Sequence, residues 1–163
     1  MKNKTIISIL IVVGMSLSIS VLAATGISLA PTIGNYHEGE TFTVSLFVNP
    51  SSEKVFTAKT ELTYPSDMLR IKTFVFADGW MPLNQEGYDL IDNSNGILIK
   101  TAGYAGGVSS QKLFGTVTFV AKKSGSAKIS IGSNSLALNT ESANVFDNAF
   151  ASGEYTILAQ VSQ

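Results

Sequence analysis

The sequence predicts an all-β domain, an antiparallel β-sandwich of about nine short strands. Apolar residues recur at every second position, most plainly at Phe42, Val44, Leu46 and Val48. Turn signals such as Asn49-Pro50-Ser51-Ser52, Asn93-Ser94-Asn95-Gly96 and Ser124-Gly125-Ser126 separate these runs at fairly regular spacing. No segment of useful length sustains the apolar period of a helix. A closed barrel is the lesser alternative.

The stretch Val55 to Ile71 organises the chain. Ala58, Thr60, Leu62 and Tyr64 fall on one side, and Thr57, Lys59, Glu61 and Thr63 on the other. That alternation suits a half-buried strand, because successive side chains point to opposite faces. Tyr64-Pro65-Ser66-Asp67 breaks it, since proline donates nothing to a ladder. Met68, Leu69 and Ile71 open a return strand, so Leu62, Tyr64, Leu69 and Ile71 can share one core.

Around this centre, Ile27 to Ala30 is a short strand and Gly34 to Glu40 a turn-rich connection. Thr41 to Asn49 is a strand in which Phe47 departs from clean alternation. Lys72 to Ala77 extends the return strand, and Asp78 to Gly87 is a long loop. Tyr88 to Asp92 and Gly96 to Ala102 form a hairpin around an Asn-Gly step, a strong turn signal because both residues tolerate positive φ. Gly103 to Gly107 is a flexible glycine-rich loop. Lys112 to Lys122 is the longest strand, with Leu113, Val117, Phe119 and Ala121 inward and Thr116 and Thr118 outward. Ala127 to Ile131, a weaker Ser135 to Leu138 and Tyr155 to Val161 complete the set.

Residues 1–23 are expected to be a secretory leader. Lys2 and Lys4 form its basic start, Ile6 to Val21 its apolar run, and Val21-Leu22-Ala23 the small-residue site, with cleavage after Ala23. The rival is an uncleaved anchor, since the uncharged run is long enough to span a bilayer. Only in that case is a membrane a partner. Residues 24–163 then form one domain. Formal net charge is −1, and loss of the two leader lysines makes the mature chain slightly more acidic. No basic block is present, which argues against nucleic acid. With no cysteine, export brings no disulfide framework, and the core alone must hold the fold.

Four motifs together resemble the cohesin domains of bacterial extracellular assemblies. Gly39-Glu40-Thr41-Phe42-Thr43-Val44 is similar to the glycine turn before that family's second strand. Leu62 to Leu69 resembles its strand, proline turn and following leucine, and Leu113 to Phe119 its long eighth strand. Ser124 to Ile129 is similar to the glycine turn before its next strand. The resemblance spans most of residues 27–160. It implies a jelly-roll sandwich, secreted or at the cell surface, without cofactor. It also implies carbohydrate binding or polysaccharide breakdown, usually by docking enzymes that carry a dockerin on one sheet face. The matching outward positions are Thr57, Lys59, Glu61 and Thr63, with Leu98 and Lys100, and Thr116 and Thr118.

Catalysis has little to work with. His37 is the single histidine, so Cys-His chemistry and zinc sites built mainly of Cys and His are excluded. It is read as a solvated surface residue. Glu61, Asp67, Asp78, Glu86, Asp89 and Asp92 sit in no recognisable hydrolase motif and are read as solvated acids. Asp89, Asp92, Asn93 and Asn95 lack the spacing of a calcium loop and are read as hairpin chemistry. No metal site is expected. Among aromatics, Trp80, Tyr88 and Tyr104 are candidates for stacking on a sugar face, which makes polysaccharide the alternative partner. The competing reading has Trp80 folded over one end of the core. A structural adhesin subunit is a third possibility.

Overall fold

The computed structural model describes residues 25–160. The expected leader over residues 1–23, and Val161, lie outside them. Alternating burial runs through nearly every long strand, as in Thr41–Asn49, where each even-numbered residue from Phe42 to Val48 is buried. Among the described residues there are thirteen strands and no helix. In chain order they are β1 (Thr25–Ala30), β2 (Ile33–His37), β3 (Thr41–Asn49), β4 (Val55–Thr63) and β5 (Leu69–Phe76). Then come β6 (Trp80–Pro82), β7 (Asp89–Asp92), β8 (Ile97–Val108) and β9 (Lys112–Ala121). The last four are β10 (Gly125–Ile131), β11 (Leu136–Leu138), β12 (Phe146–Phe150) and β13 (Ser152–Leu158).

These strands form a five-stranded sheet in the order β12-β1-β3-β9-β5 and an eight-stranded one. The larger runs β2-β13-β10-β4-β8-β6, with β11 paired to β4 and β7 to β8. The sandwich is as expected, but three details differ. Thirteen strands replace about nine, because β2, β6 and β12 occupy stretches that read as connections or carry no strand signal. Strand β8 runs on to Val108 through the glycines expected to be a loop, and so exceeds β9 in length. The sheets are also mixed, since β1 pairs with β12 and β2 with β13 in parallel. Both parallel partners are remote in sequence, so no local turn signal announces them.

Residues directly across an antiparallel pair share a face. On the inner faces Val44, Leu46, Val117 and Phe119 meet Ala58, Leu62, Leu98 and Ile129, all fully buried. Aromatic rings bridge the layers. Phe42 stacks on Tyr36 at 4.1 Å and on Tyr155 at 5.4 Å, and Tyr64 meets Phe119 edge-on at 5.4 Å. Along β9, Leu46 faces Gly115 and Phe47 faces Leu113, so Phe114 is an extra residue between them. This bulge shifts the pattern. Phe114 is fully buried, while Leu113, expected inward, is half-buried.

The proline turn after β4 leads the chain from the larger sheet into β5 of the smaller one. The carbonyl of Pro65 accepts hydrogen bonds from the amides of Met68 and Leu69, closing the turn. Asn93 ties the same corner together. Its Oδ1 accepts from the Ile71 amide at 2.6 Å and from the Tyr64 hydroxyl at 2.9 Å, and its Nδ2 donates to the Ile71 carbonyl at 3.0 Å. Gly96 completes the corner at φ +68, where a Cβ would lie 1.9 Å from the Tyr64 carbonyl oxygen. Only glycine fits there.

Two measurements test this core. Phe119→Ala should lower the unfolding free energy by about 3–5 kcal/mol, with an unchanged denaturant slope, in a urea titration. Burial pushes the Tyr64 hydroxyl up to about 12, helped by the charge of Asp92, and burial with the neighbouring Tyr36 does the same for Tyr155. Both groups ionise later in the folded chain than in the unfolded one. Their contribution is therefore complete below about pH 10 and lost as pH rises toward about 12. Ultraviolet titration should show two tyrosines ionising together with alkaline unfolding.

Candidate functional site

The outer face of the larger sheet is set by the register of β4 against β8. Thr57 lies across from Gly103, Lys59 from Thr101, Glu61 from Ile99 and Thr63 from Ile97. Strand β7 extends the rows, with Leu90 opposite Ile99 and Asp92 opposite Ile97. At the other end β6 sets Met81 opposite Gly103, and β11 sets Leu136 opposite Lys59 and Leu138 opposite Thr57. The face therefore consists of short rows that mix polar and apolar side chains. Met81 and Leu90 are exposed large hydrophobics, 56% and 41% accessible, beside half-buried Ile97, Ile99, Leu136 and Leu138.

The charged groups here are held in different ways. Glu61 is buried beneath the turn between β10 and β11. Its Oε2 accepts from the Asn134 side-chain amide at 2.7 Å, and a Cβ at Gly132 would stand 2.1 Å from Oε1. The Glu61 carbonyl accepts from the Gly132 amide, and its own amide donates to the Ser135 hydroxyl at 3.0 Å. Asp92 caps the β7–β8 turn, accepting from the amides of Ser94 and Asn95 and from the Asn95 side chain at 2.7 Å. These hydrogen bonds, Asn95's side chain foremost, hold its carboxyl below the usual carboxylate range. Lys59 is half-buried, with its ammonium 5.7 Å from the ring centre of Tyr88.

Thr57, Lys59, Glu61 and Thr63 share this face as expected, though Glu61 is covered. The other four expected partner-binding positions do not join them. Leu98 is fully buried in the core. Lys100 lies across from Thr60 on the inner side, 8% exposed, where it pairs with Asp89 at 2.5 Å and stands over the Phe74 ring. Thr116 and Thr118 belong to β9 in the smaller sheet, on the far side of the sandwich. The outward residues of β8 are one position away from those expected, because a strand's faces alternate with every residue. The register of the β7–β8 hairpin would have placed Ile97 and Ile99 outward, but the unbroken run Ile97-Leu98-Ile99 has no polar residue to mark its parity.

The three aromatic candidates sit in different surroundings. Trp80 is buried, donating from Nε1 to the Leu113 carbonyl at 2.8 Å and meeting Phe114 edge-on at 4.8 Å. Tyr104 is half-buried and tilted 67° to the indole, with the Lys112 ammonium 4.8 Å from its ring centre. Tyr88 is exposed and belongs with Lys59. His37 stands 3.6 Å from Glu40 at an exposed turn. Among the described residues, no group of three or more His, Asp or Glu converges as a metal site would require.

No protein-family model matches the sequence, and no curated protein matches it. Solved structures do. A cohesin module of a family 33 glycoside hydrolase from Clostridium perfringens aligns with TM-score 0.67 and 14% identity, over 84% of this chain and 98% of that one. A non-cellulosomal cohesin from the archaeon Archaeoglobus fulgidus aligns with TM-score 0.64 and 15% identity, over 83% and 92%. The sixth cohesin of scaffoldin B from Acetivibrio cellulolyticus, solved in complex with a mutant Cel5 dockerin, aligns with TM-score 0.63 and 15% identity, over 83% and 100%. At these identities the likeness concerns architecture, and it establishes that the chain has the fold of a cohesin module.

Proposed function

We propose that the chain is an exported, non-catalytic docking module that takes a dockerin-type protein on the outer face formed by β6, β7, β8, β4 and β11. The observation that carries this reading is the row structure of that face. Met81 and Leu90 stand exposed at its margins, and Ile97 and Ile99 lie half-covered between them. Apolar side chains gathered on one sheet face and interleaved with threonines are what a protein partner can cover. The cohesin fold supports it, since a solved neighbour of that fold is held in complex with a dockerin. Three of the six acids considered for hydrolysis are engaged in the fold itself: Glu61 by Asn134, Asp89 by Lys100 and Asp92 by its turn. A link to polysaccharide breakdown then runs through the docked partner, with carbohydrate contacts made by that partner's own modules.

Titrating the mature domain with single dockerin modules from its source organism tests the proposal. Leu90→Glu should weaken binding by at least about tenfold, because it sets an unpaired charge where the partner covers an apolar side chain. Thr116→Glu, on the opposite sheet, should leave it unchanged. Equal binding by the Leu90 variant and the unaltered domain would overturn the assignment of the face. Mass spectrometry of the exported protein should find Ala24 at its N-terminus.

A further inference from the structure

The charges on the outer face are unbalanced in a specific way. Of its two central ionisable groups, Glu61 is covered and bonded to Asn134, so it is not presented to a partner. Asp92, at the hairpin end, is occupied by Ser94 and Asn95. Lys59 is presented. The residues directly across from it, Thr101 and Leu136, are neutral. Glu86, exposed in the turn before Tyr88, forms no ion pair with it, and no carboxylate among the described residues lies within ion-pair distance. What faces the ammonium is the ring of Tyr88. An aromatic ring attracts a cation without neutralising it.

A partner that covers this face removes water from Lys59. Burying an ammonium without an acceptor is costly, and a carboxylate is its strongest complement. The neighbouring rows fix what surrounds that contact. On one side is the row that ends in Leu90, and on the other the row that ends in Met81. From this charge complementarity, and resting on the docking reading above, we propose that the partner presents an Asp or Glu side chain to Lys59, between apolar side chains that cover Leu90 and Met81. The partner's contact surface is thus acidic at its centre, and Lys59 selects among dockerin-type partners by charge.

The test uses the same dockerin modules, produced singly, with calorimetry at low and at physiological salt. Lys59→Glu should weaken binding by about tenfold or more at low salt, since it replaces attraction with repulsion. Lys59→Gln should weaken it less and flatten its salt dependence. Replacing the facing acid of the dockerin with lysine should restore tight binding to the Lys59→Glu domain and to no other form. If Lys59→Glu binds as tightly as the unaltered domain while Leu90→Glu does not, the acidic-partner inference is overturned and the docking face stands. If no dockerin in the set binds the unaltered domain, the docking reading falls and takes this inference with it.

Discussion

The register between β4 and β8 is the constraint on which the rest depends. Eight residue pairs connect Val55 to Val108 at one end and Thr63 to Ile97 at the other. A slip of one residue in β8 would turn Leu98 and Ala102 out to solvent and drive Ile97 and Ile99 against the smaller sheet. The register is pinned outside the two strands themselves. Tyr64 donates its amide to the Gly96 carbonyl, and Gly96 has no Cβ to push the chains apart. Asn93 then binds both main-chain groups of Ile71 in the opposing sheet. Side-chain parity on the outer face follows from one polar corner at the end of the hairpin.

That corner also shows how a sandwich without disulfides is kept in order. Sheet-on-sheet packing is apolar and only loosely directional, so packing alone tolerates sliding. Hydrogen bonds that cross between the layers remove that freedom. Trp80 buries its ring in the core and donates across to the Leu113 carbonyl of the smaller sheet. Tyr64 donates to Asn93, which itself reaches Ile71 of that sheet, and Tyr155 donates to the Pro31 carbonyl in the connection between β1 and β2. Each ring contributes burial, and its polar end fixes where the layers meet.

Much of this was legible in the amino-acid order. Strands β3 and β9 and the β7–β8 hairpin follow directly from alternation and from the Asn-Gly step. Strands β2 and β12 were not legible, because each is short, lies at a sheet edge and pairs in parallel with a distant segment. The sheet to which β9 belongs was not legible either. Alternation tells which side chains of a strand point together, never which layer the strand joins, so it offers no check on the family resemblance that groups Thr116 and Thr118 with Lys59, although the whole core separates them. Glu61 was read as a free surface acid because its cover comes from Asn134, 73 positions along the chain.

The Asn93 clamp has a mechanical meaning for the proposed docking role. Strand β7 is the margin of the proposed docking surface, joined to the sheet along β8 alone. Taken by itself, such a margin would peel away one hydrogen bond at a time under tension. Because Asn93 fastens the tip of that hairpin to the main chain of β5, force entering at β7 is passed into the second layer, where many bonds share it at once.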